Sequence, residues 1–286
     1  MAEEKKFPSE IIDLPSGGKI YGKDSPLYGG KIEIKYMTAK EEDILTSQNL
    51  IKKGAVLEKL MDSLILTPGV NTKSLVLGDK NAIMIAIRIL AYGPDYVAEV
   101  THPTTEEKIS HKFNLADCPF KVLPDDVNYK TNEFDFELPV SKAKIKWRLL
   151  TGLEDDKIES ELNAKKKLGS LQSSAITTRL KHIIVSWNGE EDKSELSELV
   201  DNMLSKDSLA LRNEITRISP DVEMKQEIEF PEGGTVEVDI PLTVNFFGLT
   251  PKEKPYIHKS IFNLVYYGKG FNFSDCYDMP VYLRNW

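Results

Sequence analysis

Hydrophobic and polar residues alternate in several short stretches of the chain, a pattern typical of strands with one buried face. The stretch "KIEIKY" at 31–36 alternates its isoleucines and its tyrosine with charged residues. Two alternating runs between 133 and 150 are joined through "PVSKAK", and two more between 96 and 115 flank a polar turn. The alternation therefore predicts a strand near residue 31 and two β-hairpins further along the chain.

A helical pattern is clearest in "DKNAIMIAIRILAYGP", residues 79–94. Asp79 can cap this helix, Gly93 can adopt the left-handed conformation that ends it, and Pro94 prevents its continuation. Because the apolar residues extend nearly all round the helix, we expect it to be buried at the centre of the fold.

Two capping boxes predict where further helices begin. Thr38 is followed three residues later by Glu41, and Asp192 by Glu195, so that each pair can satisfy the free amides of a first helical turn. From the second box to about residue 218, leucine, valine and isoleucine recur on one stripe. This stripe predicts a single long helix over 192–218.

Two stretches of the chain share one order of elements. A helix, a Pro-Asp pair, a strand, a turn and a strand follow one another around Pro94, and again around Pro220, about 126 residues later. The fold is therefore predicted to be α+β, with two related lobes that each combine a helical part with a β-hairpin. The predicted divisions are an extended N-terminal arm rich in glycine, proline and serine (1–30), a first lobe (31–130), a hairpin and charged helical connector (131–190), and a second lobe (191–286).

Composition narrows the class of protein. The 286 residues carry a net charge of −8, which argues against a protein that binds nucleic acid through clustered lysine and arginine. The start "MAEEKKFPSE" lacks the apolar centre of a signal peptide, and the longest apolar run, residues 82–92, is too short to span a membrane. Two widely separated cysteines indicate folding in a reducing cytoplasm rather than a disulfide framework.

The residue types that carry catalysis or bind metals form no recognisable set. His102 and His111 lie on the two arms of one predicted hairpin and could face each other, but no cysteine or further histidine pattern completes a zinc site. Cys118 has no histidine pattern nearby, and "GKG" at 268–270 lacks the spacing of a phosphate-binding loop. We therefore predict no enzymatic activity, no cofactor and no bound metal.

The last 26 residues are unusually aromatic. They contain eight aromatic side chains, whereas the whole chain contains 3 Trp, 11 Tyr and 11 Phe. They could form the core of the second lobe, in which case Tyr266 and Tyr267 follow Phe262 at a helical spacing that suits burial. Alternatively, they could form a docking surface for a neighbouring subunit, because interface cores are enriched in aromatic residues. The predicted partner-binding residues are those beyond the glycine turn: Phe271, Phe273, Tyr282, Arg284, which could pair with an acidic partner group, and Trp286.

Several stretches together resemble the baseplate hub and hub-assembly proteins of contractile-tailed phages of the T-even type. They are "LPSGGKIY", "MTAKEEDIL", "LGDKNAIMIAIRILAYGPDY", "DSLALRNEITRISPDVEM", "FPEGGTVEVDIPLTVNFFGL" and the closing "IFNLVYYGKGFNFSDCYDMPVYLRN". The resemblance implies a structural subunit that assembles in the host cytoplasm, enters the tail baseplate of the virion and joins a symmetric oligomer with other baseplate, hub or tail proteins. It equally permits an assembly chaperone that leaves the hub. A tail-associated hydrolase is a third alternative, which the absence of a catalytic pattern disfavours.

The chain departs from the family at the tips of the two helix-associated hairpins. Relatives often carry Cys-Pro-x-Cys knuckles there, like zinc ribbons, whereas these tips begin with His102-Pro103 and Phe230-Pro231. The resemblance thus implies degenerate, zinc-ribbon-like hairpins that are held by packing and by their turns. In the second hairpin, Gly233 and Gly234 are expected to supply the positive φ angles of a tight turn.

Overall fold

In the computed structural model, the described residues are 8–167, 174–231, 233–240, 244–249 and 252–284. They form a mixed α and β fold. The strands are β1 (Ser9–Asp13), β2 (Lys31–Lys35), β3 (Asp95–Thr101), β4 (Lys108–Asn114), β5 (Phe134–Glu137), β6 (Lys144–Trp147), β7 (Ile184–Trp187), β8 (Lys225–Phe230) and β9 (Gly234–Asp239). The helices are α1 (Ala39–Leu45), α2 (Gln48–Lys52), α3 (Val56–Leu64), α4 (Leu77–Tyr92), α5 (Gly152–Lys167), α6 (Ala175–Ile183), α7 (Lys193–Asp201), α8 (Ser205–Ile218), α9 (Lys254–Tyr267), α10 (Phe273–Tyr277) and α11 (Val281–Arg284).

All strand pairs in the described part of the chain are antiparallel. The pairs β1–β2, β3–β4 and β8–β9 form two-stranded sheets, and β5, β6 and β7 form a three-stranded sheet. The strand near residue 31 and the predicted hairpins are therefore confirmed. Small sheets of this kind depend on packing against helices, because an isolated two-stranded hairpin is marginally stable in water.

The first hydrophobic cluster surrounds α4. It contains Ile83 and Ile87 of this helix, buried residues of α3, and Phe113 of the β3–β4 hairpin. Ile228 and Phe230 of the β8–β9 hairpin belong to the same cluster, as do Phe246, Phe247 and Val281. The order of helix and hairpin does recur at α8, β8 and β9, as the sequence predicts, but the second hairpin shares the core of the first instead of building a separate one.

The second hydrophobic cluster surrounds Trp147, which is fully buried. Its other members come from the β5–β6 hairpin, from β7, and from helices α5 to α8, with Ile158 and Leu211 completely enclosed. The predicted boundary at residue 191 falls inside this cluster, because α7 and α8 pack on the hairpin and connector that precede them. The two hydrophobic clusters therefore do not correspond to the two predicted lobes.

The N-terminal segment packs on the rest of the chain over its described residues, 8–30. β1 pairs with β2 along its whole length, and Leu14, Ile20 and Leu27 are buried. The glycines allow tight turns: Gly18 has a φ of 73° and packs so closely against the backbone of Leu27 that a Cβ would clash with it. The described part of the predicted arm is therefore held by strand pairing and by buried side chains.

The central helix α4 is confirmed, but it begins two residues before the expected cap. Val76 occupies the N-cap position and Asp79 lies in the first turn, while Gly93 ends the helix with a φ of 80° as predicted. A carboxylate in the first turn is favoured by the helix dipole. Asp79 is therefore free to accept hydrogen bonds from another part of the chain rather than from its own helix.

The helix predicted over 192–218 is broken into α7 and α8. Asp192 caps α7 as expected, accepting from the amides of Ser194 and Glu195, but the chain leaves the helical conformation at Leu204. The break allows Asp207, in the first turn of α8, to accept hydrogen bonds from the amides of Val140 and Ser141 in the β5–β6 turn, at 2.8 and 3.0 Å. The helix is thus interrupted between α7 and α8, where Asp207 binds the β5–β6 turn.

Candidate protein-interaction site

The motif "LPSGGKIY" meets the start of α4 at Asp79. The carboxylate of Asp79 accepts from the amide and hydroxyl of Ser16, at 2.9 and 2.6 Å, and from the hydroxyl of Tyr21 at 2.5 Å. Burial raises the pKa of Asp79, although these donors favour its charged form. Burial and the neighbouring carboxylate likewise raise the pKa of Tyr21. These three hydrogen bonds fix the N-terminal segment on α4, so this buried carboxylate has a structural use.

A second joint lies at the other end of α4. The guanidinium of Arg88 donates to the backbone oxygens of Phe246, Gly93 and Asp95, at 3.1, 3.0 and 3.1 Å. It also lies 5.0 Å from the ring centroid of Tyr92. Burial lowers the pKa of Arg88. One side chain thereby ties together α4, the entry to β3 and the 3₁₀ helix at Val244–Phe247.

The tips of the two hairpins pack against each other. The ring of His102 meets the ring of Phe230 edge-on, with centroids 5.0 Å apart, and leaves no room for a side chain at Gly233. The Nδ1 atom of His102 accepts from two amides of its own turn. Of the expected turn glycines, Gly234 has a positive φ. Packing between the rings of His102 and Phe230 therefore joins the tips of the two hairpins.

The two histidines of the first hairpin do not face each other, contrary to expectation. His111 lies opposite Ala98 in the β3–β4 register, whereas His102 follows the last strand pair at the tip. Within the described ranges, no three or more histidine, cysteine, aspartate or glutamate side chains are grouped so that they could hold a metal ion. The same part of the chain contains no helix long and apolar enough to cross a membrane.

Helices α9 and α10 dock on α1 through a small apolar contact. Its buried members are Ala39 of α1, Ile257 and Ile261 of α9, and Cys276 of α10. Four buried residues provide little apolar area for three helices, so polar contacts must contribute more to the docking than in the larger clusters.

Two carboxylates of α1 supply those polar contacts. Glu42 forms a buried ion pair with Arg284, whose side chain is 2% exposed. Asp43 lies 3.1 Å from Lys254 Nζ and accepts a 2.7 Å hydrogen bond from the hydroxyl of Tyr277. Burial raises the pKa of Glu42, although Arg284 favours its charged form. Burial and the bond to Asp43 raise the pKa of Tyr277 to about 12.

Arg284 was predicted to pair with an acidic group of a partner, and the structure corrects this. Its acidic group is Glu42 of the same chain, and the side chain is enclosed. The other described members of the predicted set are exposed: Phe271 by 44%, Phe273 by 56% and Tyr282 by 43%. Tyr282 also contacts the ring of Tyr36, with centroids 5.1 Å apart. Trp286 lies outside the described residues.

Helix α9 carries further exposed rings. Tyr266 and Tyr267, whose spacing from Phe262 suited burial in the core alternative, are 66% and 72% exposed. We define the aromatic face as six exposed residues of α9, the following turn and α10: Tyr256, Phe262, Tyr266, Tyr267, Phe271 and Phe273. Phe262 and Tyr266 stack on each other, with ring centroids 5.6 Å apart, and Tyr266 meets Tyr267 edge-on at 4.8 Å, so these three rings form a continuous exposed surface.

A helical wheel would have found these rings. Ile257 and Ile261 mark the buried stripe of α9. Phe262 and Tyr266 each follow a position of this stripe by about 100°, the angle between successive residues in a helix, and so point away from it. The spacing between the aromatic residues alone does not reveal this orientation, whereas their position relative to the isoleucines does.

Lysines adjoin the α9 part of the aromatic face. Residues 252–270 contain four lysines and one acidic residue, Glu253, but Lys254 pairs with Asp43. Lys259 lies beside Tyr256 and Tyr267 in a shallow groove of about 590 Å³ on this surface. Asp275 lies in α10 and Asp278 directly follows it, so the positive charge is concentrated on the α9 part of the face.

Comparison with known proteins identifies the family. Residues 8–248 match the family described as T4 bacteriophage base plate protein. The match includes the motifs at Ser16, Asp79 and Arg88, so the chain belongs to this family. Membership gives it a structural role in the phage baseplate, with other baseplate proteins as partners and the tail baseplate of the virion as its place. Searches of curated proteins and of solved structures found no match.

Proposed function

We propose that this protein is a structural subunit of the baseplate hub that remains in the virion and binds a neighbouring subunit through the aromatic face. The observation that carries the proposal is the exposure of six neighbouring rings on α9, the following turn and α10. Exposed apolar patches of this kind mark interaction sites in soluble proteins, and aromatic residues dominate the energetics of such contacts. The hub position itself rests on the resemblance of the sequence motifs.

The chemistry of the face indicates the kind of surface it binds. The rings require an apolar counterpart, and the exposed side chains of Lys259 and Lys269 favour acidic groups beside it. We propose that the partner is another baseplate protein with an apolar patch rimmed by carboxylates, within a symmetric assembly formed in the host cytoplasm. The proposal gives the chain no catalytic step, cofactor or metal.

The test is a phage that encodes Phe262→Ser and Tyr266→Ser together. Both side chains are largely exposed, so the melting temperature of the purified protein should change little. Particles purified from this phage should lack the protein, while wild-type particles contain it in a fixed ratio to other baseplate proteins by quantitative mass spectrometry. Tyr28→Ser, at a tyrosine 45% exposed elsewhere on the surface, is the matched control and should be incorporated normally.

Two outcomes would contradict the proposal. Normal incorporation of the double variant would show that the aromatic face does not hold the protein in the particle. Absence of the wild-type protein from mature particles that nevertheless require it for assembly would identify a transient chaperone instead.

A further inference from the structure

Elements of the second hydrophobic cluster form a cleft of about 440 Å³. Helices α6 and α8, the start of α4 and the residues that follow β6 form its walls. Its floor is aliphatic, with Leu150, Leu180 and Ile183 buried beneath it. Ile176, on the rim, is 49% exposed. The cleft therefore offers aliphatic surface that the described residues do not cover.

Three arginines line this cleft, in a chain with a net negative charge. They are Arg148, Arg179 and Arg212, and among the described residues that line the cleft Asp221 is the only acidic one. The carboxylate of Asp221 already accepts hydrogen bonds from Asn81 and from the amide of Val222. The lining therefore has an excess of positive charge, with no lysine or histidine contributing to it.

The guanidinium groups are incompletely satisfied within the described residues. Arg212 donates a 3.4 Å hydrogen bond to the backbone oxygen of Ser208 on its own helix. Arg179 lies 3.8 Å from Asp155, beyond hydrogen-bonding distance, and its side chain is 51% exposed. Arg148 pairs with Glu154, but its Nε atom is buried and meets no acceptor in the described chain. Donors of a guanidinium group match a carboxylate in a planar, two-bonded arrangement.

We propose that this cleft binds an acidic peptide segment of another protein, with aliphatic side chains on the floor and carboxylates on Arg179 and Arg212. Arg148, anchored by Glu154, positions its remaining donors at the inner end of the cleft. The site is separate from the aromatic face, because none of the cleft residues belongs to α9, α10 or α11. The protein would then hold two partners, or two parts of one partner, by different chemistry.

The lining favours a peptide over a nucleic acid. Single-stranded nucleic acids are held by rings on which their bases stack, and the residues lining the cleft include no aromatic side chain. Aliphatic side chains such as leucine fit a floor of this kind, whereas a phosphate backbone would leave it uncovered. The net charge of −8 would also repel a long polyanion.

The test measures binding of a short fluorescent peptide composed of glutamate and leucine to the full-length protein by anisotropy. The peptide should bind, and increasing the salt concentration should weaken it. The variant Arg179→Glu/Arg212→Glu should bind at least about tenfold more weakly, since like charges then face the carboxylates. Lys206→Glu, an exposed change of the same charge on α8 outside the cleft, is the matched control and should leave the affinity unchanged.

Further measurements distinguish binding in the cleft from non-specific electrostatic binding elsewhere on the surface. Ile176→Ser removes apolar surface without changing charge and should weaken binding severalfold, with unchanged circular dichroism. A photoreactive version of the peptide should crosslink to residues 176–183 or 212–221. The proposal is wrong if the peptide does not bind, if Lys206→Glu weakens binding as much as the double variant, or if crosslinks map elsewhere. Tighter binding of a single-stranded oligonucleotide at the same cleft would also overturn it.

Discussion

Helices α4 and α9 are both apolar helices that end at a glycine, yet they differ in how far their side chains are buried. α4 has 16 residues, of which seven are buried, whereas α9 has 14 residues, of which only Ile257 and Ile261 are buried. The N-terminal segment contacts the start of α4, and the β3–β4 hairpin, residues 244–247 and α11 surround the rest. Helix α9 has α1 and α10 on one side, and its aromatic residues face outward.

The difference shows that burial depends on how many neighbours the chain supplies, not on how apolar a helix is. Packed elements meet the Ile, Leu and Ala side chains of α4 on several sides, so seven of its residues are buried and the others are only partly exposed. The rings of α9 are larger and individually more costly to expose. Their exposure in an otherwise well-packed molecule is therefore what a contact with another protein would explain.

The largest expected effect comes from the ion pair between Arg284 of α11 and Glu42 of α1. Arg284→Ala would leave Glu42 buried without its cation, and we expect the free energy of unfolding to fall by about 3–5 kcal/mol in urea denaturation. The double variant Glu42→Leu/Arg284→Met should recover most of this loss, because it removes both charges. A loss as small as that of Arg217→Ala, which breaks an exposed pair with Asp126, would show that the contact contributes little.

The next effect contrasts the two helices directly. Ile83 of α4 is fully buried, and Ile83→Ala should lower the free energy of unfolding by about 2–5 kcal/mol through lost burial and the cavity left behind. Tyr266→Ala on α9 removes a larger side chain that is 66% exposed, and it should change the same quantity by about 0.5 kcal/mol or less. Similar losses for the two variants would mean that the aromatic face is packed within the chain in solution.

The smallest effect concerns the pH dependence of α9 docking. Burial disfavours the charged form of Asp43, but hydrogen bonds from Tyr277 and Lys254 together outweigh burial and lower its pKa. A lowered pKa in the folded state means that the ionised group stabilises the fold above its ordinary value of 3.8, and that this contribution is lost as pH falls through the folded-state value.

The measurement compares Asp43→Asn with the wild type across pH. The difference in free energy of unfolding should be largest near neutral pH and should shrink as pH falls below 3.8. Tyr277→Phe, which removes one donor to Asp43, should show the same trend with a smaller amplitude. A difference that stays constant with pH would remove Asp43 from the docking contact.

Local sequence determined the elements whose signals lie within a few residues. The alternating runs became strands, the Thr38–Glu41 capping box opened α1, and Gly93 ended α4 with a positive φ. The hairpin tips lack cysteine, as the sequence shows directly. The motifs that indicated the family are also local, and the family match over residues 8–248 includes five of the six. These features depend on backbone geometry and on short-range hydrogen bonds. Both are set by residues that lie close together in the sequence.

Only the tertiary structure decided which elements share a core and which side chains reach the surface. Ser16 of the glycine-rich start donates hydrogen bonds to Asp79, which lies 63 residues later in the chain. Arg284 pairs with Glu42, which lies 242 residues before it. Helix α8 packs with the segment before it, while the hairpin after it joins the first cluster. Such contacts depend on which surfaces the whole chain brings together, and the same apolar pattern is buried on α4 and exposed on α9 because only α4 is surrounded.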